Sequence, residues 1–374
     1  MKMTKSKKVL GTIELIAAAA VLIIAVVFAP AYKSAVEPEP ETQTQTEALS
    51  EIATEAPSAP AETTTEPTTA PPEVGAYTVS PNYIVVTKDA AMEMYSVNKQ
   101  KLLDYGASLN ALAAAVPEVK VYSLLAPTRM EFYGPEEYRT GSHSQKRGIE
   151  IANSAMGENI VKVDAYEKLS RHTDQYLYFR TDHHWTARGA YQAYTAFCEA
   201  ANLECKPLEA HETASLDGFV GSMYRYTQSE TLKNNPDTVE VFYPTVEASG
   251  QFFSGPAMDD GKNLRIISTN ITDPASKYMA FIQGDKALIK MTTNVGNGQK
   301  ILLIKESYGN AFAPFLLENY SEVYVLDPRQ EGVQGMNLPQ FLRDNGIQNV
   351  LLLNYMMAPS NSKFMNAFNA MIPA

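Results

Sequence analysis

Apolar positions fall along the chain in three regimes. Behind four early lysines, a long apolar run with the single charge Glu14 near its start occupies residues 9–29, and its 21 residues would make a helix about 30 Å long, enough to cross a bilayer core. Residues 37–75 then carry almost no apolar side chain. From Ala76 onward, apolar residues return in short periodic blocks. Residues 102–116 (LLDYGASLNALAAAV) repeat at helical spacing, and residues 119–125 (VKVYSLL) form an apolar run bounded by Pro117 and Pro127, which predicts a helix followed by a buried strand.

The last third repeats that unit. Three apolar runs, 301–304 (ILLI), 323–326 (VYVL) and 350–353 (VLLL), alternate with helical stretches predicted over 310–320 and 338–345. Strands alternating with helices at this spacing imply a parallel sheet with right-handed crossovers. The region between, about 211–298, contains alternating segments such as 239–243 and 278–283 among Asn, Asp and Gly turns. It reads as antiparallel strands covering one edge of the sheet. One α/β domain with a β-rich insertion is therefore expected over 76–374.

Charge sharpens these divisions. Residues 1–36 carry a net +4, residues 37–75 carry nine glutamates and no Lys, Arg or Asp, and the remainder holds −6 of the total −11. Lysines before an apolar run orient a signal anchor with a cytoplasmic N-terminus and an extracellular C-terminal domain. A cleaved secretory signal is the alternative, because Ala29-Pro30-Ala31 has the form of a cleavage site; both readings export the rest of the chain. The Pro/Thr/Glu-rich segment 37–75 cannot bury enough apolar surface to order itself and reads as a disordered, extended tether. A strongly acidic chain excludes nucleic acid as a natural partner. Only Cys198, Cys205 and five histidines occur, which excludes disulfide scaffolds and Cys-ligated metal modules. A single Cys198–Cys205 bridge stays open.

Candidate chemistry lies after the strand ends, where open α/β sheets bind ligands. The residues there are Lys305 to Asn310 (KESYGN), Asp327-Pro328-Arg329 and Asn354-Tyr355. A serine on a strand-to-helix turn is exposed at the sheet edge beside helix amides, so Ser307 is the candidate nucleophile, with a plain helix N-cap as its alternative. Its base is sought in Asp182-His183-His184-Trp185. Residues two apart in extended backbone share a side, so Asp182 can orient His184 while His183 points away. A metal site from these three is the less favoured reading, and no metal or cofactor is expected. Tyr224, Tyr226 and Phe219 could stack on sugar rings near the cleft or pack in the core.

The tetrad Asp182 to Trp185, followed by Thr186-Ala187-Arg188-Gly189-Ala190-Tyr191, resembles the DHHW-motif family, related to the alginate O-acetyltransferase group of SGNH-hydrolase-like proteins. Ser144-Gln145, the segment 218–222 (GFVGS), the Ser-Tyr-Gly-Asn turn and Asp327-Pro328-Arg329 extend the resemblance. It implies a rearranged SGNH-like domain with Ser307 as nucleophile, His184 as base and Asp182 as its acid. Arg329 and Tyr355 would lie near the serine, with Arg329 able to serve as the oxyanion's partner, Asn354 would take the oxyanion-hole position, and Tyr308 would line the substrate site. The implied activity is O-acetyl transfer to a polysaccharide acceptor, with a membrane-bound O-acyltransferase as acetyl donor. A carbohydrate esterase and a non-catalytic glycan-binding module are the alternatives. Lys305-Glu306-Ser307 departs from the Gly-Asp-Ser of SGNH hydrolases, which bears on the oxyanion hole more than on the triad.

Overall fold

The structure is a computed structural model, and it describes residues 75–373. The expected anchor at 9–29 and almost all of the tether at 37–75 lie outside the described residues. No helix among the described residues is long and apolar enough to cross a membrane.

Thirteen strands are present in the described residues: β1 (Thr78–Val79), β2 (Ile84–Val86), β3 (Ala91–Glu93), β4 (Lys120–Ala126), β5 (Ile160–Lys162), β6 (Thr213–Phe219), β7 (Asp237–Phe242), β8 (Ala248–Phe253), β9 (Lys262–Leu264), β10 (Leu288–Thr293), β11 (Lys300–Lys305), β12 (Glu322–Leu326) and β13 (Asn349–Tyr355). Eight form one mixed sheet in the order β5-β4-β13-β11-β12-β10-β8-β9. From β5 to β12 every neighbour is parallel, and the pairings of β10, β8 and β9 are antiparallel. The four apolar runs expected as strands are β4, β11, β12 and β13. The insertion extends one edge of the sheet through β10, β8 and β9 and adds the separate β6–β7 pair.

The parallel strands are near-continuous apolar runs because both faces are covered. On one face Leu303, Leu351 and Leu353 pack with Trp185, Tyr194, Phe197 and Phe312; on the other Leu302, Val350 and Leu352 pack with Leu109, Leu112 and Phe364. The helix Lys99–Ala115 covers the second face and Ala187–Ala201 the first. The latter is capped by Thr186, whose hydroxyl accepts from Gly189 N. Asp182 is therefore not a helix cap.

Two expected elements differ. The helix over 310–320 is split into Gly309–Phe312 and a 3-10 turn Ala313–Glu318. Pro314 at the junction has no N–H to continue the ladder. The expected strand at 278–283 is instead mostly the 3-10 segment Pro274–Ala280, started by Asp273, whose side chain accepts from Ala275 N. Ile282 and Gln283, at φ 47° and 55°, then turn the chain, leaving a single bridge between Phe281 and Ile267.

Candidate active site

The Asp182 loop is a turn between Tyr178 and Trp185, which bridge each other antiparallel, with Phe179 N donating to His184 O at 3.2 Å. Buried Asp237 holds the start of the turn: its carboxylate accepts from Thr181 N at 2.8 Å and Thr181 Oγ1 at 2.6 Å, and it pairs with Arg180 Nε at 3.0 Å. At the other end, Trp185 Nε1 donates to Tyr308 O at 2.9 Å, fastening the loop to the turn after β11.

These two fastenings bring three groups together. His184 Nε2 lies 2.7 Å from Ser307 Oγ, and His184 Nδ1 lies 2.5 Å from Asp182 Oδ1. An ionised carboxylate only accepts, so Nδ1 carries the hydrogen and Nε2 is left to accept from the Ser307 hydroxyl. Asp182 also accepts from His184 N at 3.0 Å and Ser222 N at 2.8 Å. Burial opposes its ionisation, but the attraction of His184 and His183 and these hydrogen bonds outweigh it and hold the carboxyl well below the usual range. Ser307 is half-buried, whereas Asp182 and His184 are buried, so the serine is the member of the three most open to solvent.

Several supports carried no sequence signal of their own. The Tyr278 ring stacks on His184 with centroids 3.8 Å apart and planes 11° apart, and its hydroxyl donates to Ser307 O at 3.0 Å. Gly221 must be glycine because a Cβ there would meet Asp182 Oδ2 at 2.3 Å; this close approach lets the Ser222 amide reach the carboxylate. Glu306 bridges strand ends, with Oε2 accepting from Tyr308 N at 3.0 Å and Oε1 from Tyr355 N at 2.9 Å. Burial pushes the Glu306 carboxyl up.

His183 does not point away. Its ring lies 3.8 Å from that of His184, its Nδ1 lies 2.6 Å from Ser222 Oγ, and burial together with the neighbouring His184 keeps its pKa low. Asp182, His183 and His184 offer one ligand atom each within 4.8 Å of one another, but these atoms are engaged with each other, with Ser222 and with Ser307.

The remaining expected site residues separate into two groups. Tyr355 faces the site, half-buried, with its ring 5.0 Å from Tyr308. Tyr308 is fully buried and donates to His183 O at 2.6 Å, so it is a wall rather than an open contact. Asn354 has the opposite parity on β13 and points into the other layer, where Tyr105 OH donates to its Oδ1 at 3.3 Å. It is not placed to serve an oxyanion. Arg329 is held by Asp327 (Nε 2.9 Å, Nη2 2.6 Å) and by Asp285 (2.7 Å), beside buried Lys305, which pairs with Asp285 at 2.7 Å. An oxyanion role for Arg329 finds no support in these contacts. Phe219 is core, packed edge-on against Phe179, while Tyr224 packs against a small apolar cluster and Tyr226 is exposed. Cys198 and Cys205 are free thiols.

The family model described as DHHW protein matches residues 58–326, a stretch that holds Asp182, His184 and Ser307 and stops short of Arg329. The chain belongs to the DHHW family. A crystal structure of a DHHW family protein from Eubacterium siraeum matches with a TM-score of 0.71 at 30% identity, covering 80% of this chain and 98% of that one. Bacillus cereus PatB1, solved with a sulfonyl adduct, shares the fold at a TM-score of 0.63 and 15% identity, over 77% of this DHHW chain and 99% of PatB1. The O-acetyltransferase domain of Pseudomonas putida AlgJ matches with a TM-score of 0.43 at 12% identity, over 78% of this chain and 98% of that one. No curated protein matches in sequence.

Proposed function

We propose that this DHHW protein transfers an acetyl group to a hydroxyl of a cell-surface or secreted polysaccharide through an acyl-Ser307 intermediate. The observation that carries this reading is the continuous chain from Ser307 Oγ through His184 to Asp182, at 2.7 and 2.5 Å. In the first step Ser307 Oγ bonds to the acetyl carbonyl carbon and its proton passes to His184 Nε2. The bond to the donor's leaving oxygen breaks, and that oxygen takes the proton back from His184. In the second step an acceptor hydroxyl gives its proton to His184 and attacks the acyl carbon, and Ser307 Oγ leaves and is reprotonated. Asp182 stays ionised throughout and stabilises the imidazolium. The membrane anchor at 9–29, the extracytoplasmic placement and a membrane-bound O-acyltransferase as acetyl donor belong to the same proposal.

Ser307 is half-buried rather than sealed, and this favours a second reading in which water replaces the sugar and the protein acts as an esterase. The converged triad weighs against a purely non-catalytic module. The test uses 4-nitrophenyl acetate with and without a polysaccharide acceptor, comparing the wild type with Ser307→Ala. Transfer expects a burst and acetylated acceptor from the wild type alone; acetate without acceptor labelling supports the esterase; equal turnover by both proteins overturns both readings. A sulfonyl fluoride should label Ser307 and stop the burst.

A further inference from the structure

Beside the triad, β3 and the helix Ser222–Thr227 form a second wall that carries a carboxyl with no protein partner among the described residues. On β3 the residues alternate. Ala91 packs with Ile84, Met223 and Leu232, so its face looks onto the helix Ser222–Thr227, and Glu93 shares that face. Ala91 N donates to Arg180 O at 2.9 Å, which ties β3 alongside the segment leading into Asp182. Glu93 is half-buried, yet no group among the described residues donates a hydrogen bond to its carboxyl or forms an ion pair with it. Burial pushes that carboxyl up, with Asp182 and Glu306 adding to the effect and His183 opposing it; Tyr355 and Tyr308 also sense its charge. A half-buried carboxyl without a protein partner is free to accept hydrogen bonds from a ligand's hydroxyls.

Two exposed aromatics adjoin this wall. Tyr226 is 49% exposed although the Arg225 guanidinium lies over its ring at 5.4 Å, and Tyr83 is 67% exposed. Tyr83 has φ 57°, a conformation unfavourable for a bulky residue, and is held there by Met94 N donating to its carbonyl at 3.0 Å. Asn82 Nδ2 donates to Tyr226 O at 3.5 Å and joins the two turns. A cavity of about 460 Å3 is lined by Tyr224 and Arg225 of this helix together with His183 and His184 from the Asp182 turn, and Glu93, Tyr83 and Tyr226 stand outside its lining.

We propose that β3 and the helix Ser222–Thr227 form the acceptor subsite, which takes an uncharged sugar ring: Tyr226 and Tyr83 contact its apolar faces, and Glu93 hydrogen-bonds its hydroxyls. The inference rests on the transfer reading above and names the class of its acceptor. Aromatic faces and a free carboxyl suit a ring with C–H patches on its faces and hydroxyls on its rim. Asp182, which is held ionised, disfavours a uronate or phosphate beside it.

The test reads binding rather than chemistry, so it stands apart from the acyl-transfer test. Ser307→Ala protein, full chain, is titrated calorimetrically with chitotetraose and cellotetraose as neutral probes and with tetragalacturonate as the anionic one. At least one neutral probe is expected to bind, and tetragalacturonate at least tenfold more weakly. Adding Tyr226→Ala should weaken the neutral probe about tenfold, and Glu93→Gln, which keeps shape but removes the charge, severalfold. Binding of none of the probes, tighter binding of tetragalacturonate, or unchanged affinity in both added variants overturns the subsite. Circular dichroism matching the parent shows that a loss of affinity is not a loss of fold.

Discussion

The Tyr278 ring lies flat on His184, 3.8 Å between centroids and 11° between planes. This places an aromatic from the insertion directly over the imidazole, so the insertion sets the rotamer of His184 as well as extending the sheet. The hydroxyl of the same tyrosine donates to Ser307 O and so braces the backbone at Ser307.

Tyr278→Ala should reduce acetyl transfer by roughly 10- to 100-fold, the scale of misplacing a catalytic group by about an ångström. Tyr278→Phe keeps the stacking and loses only the hydrogen bond, so its loss should be severalfold. Pre-steady-state bursts with 4-nitrophenyl acetate measure both. Equal, small effects would mean that the stacking does not position the base.

Asp182→Asn should cost about 10³- to 10⁴-fold in rate, because an amide can present a donor to Nδ1 and so favour the wrong imidazole tautomer. It also has a stability signature. The folded-state pKa of Asp182 is depressed, so its ionised form contributes stability above the unfolded carboxyl value of about 4 and that contribution is lost as pH falls toward the folded value. The Tm difference between the wild type and Asp182→Asn should therefore be largest near neutral pH and shrink below about pH 4. A pH-independent difference would count against the depressed pKa.

Glu306→Asp should destabilise the fold by about 1–3 kcal/mol, since a side chain one methylene shorter cannot reach both Tyr308 N and Tyr355 N and leaves one amide unpaired. Urea midpoints measure this. An unchanged midpoint would show that the amides find other acceptors.

Arg329→Ala separates the two roles open to this residue. Held by Asp327 and Asp285, it should act on stability: removing it leaves two carboxylates with Lys305 alone and should lower the urea midpoint while the burst amplitude per folded molecule is retained. A wild-type midpoint with a rate loss of 100-fold or more would return Arg329 to the oxyanion.

The four apolar runs were legible as strands because a strand buried on both faces has no polar alternation to obscure it. Asp182 and His184 were legible because they are local, two residues apart on one turn, and Ser307 because it follows a strand end. Their supports were not legible. Ser222 N reaches Asp182 across 40 residues, and Tyr278 OH reaches Ser307 O across 29, through a segment whose alternation mimics a strand. Asn354 and Tyr355 were both candidates, and strand parity alone separates them: one residue of register decides which face of the sheet each serves. His183 was misplaced because the turn is too tight for the simple rule of alternate sides.

The contact between Ser307 and His184 joins residues 123 apart in sequence. In the native state it depends on β11 lying between β12 and β13 and on Trp185 docking on the turn that follows. Contacts of such long range tend to be late events in folding. Catalytic competence should then lag helix and sheet content during refolding, so that burst amplitude, rather than circular dichroism, reports the fraction of molecules that have reached the native state.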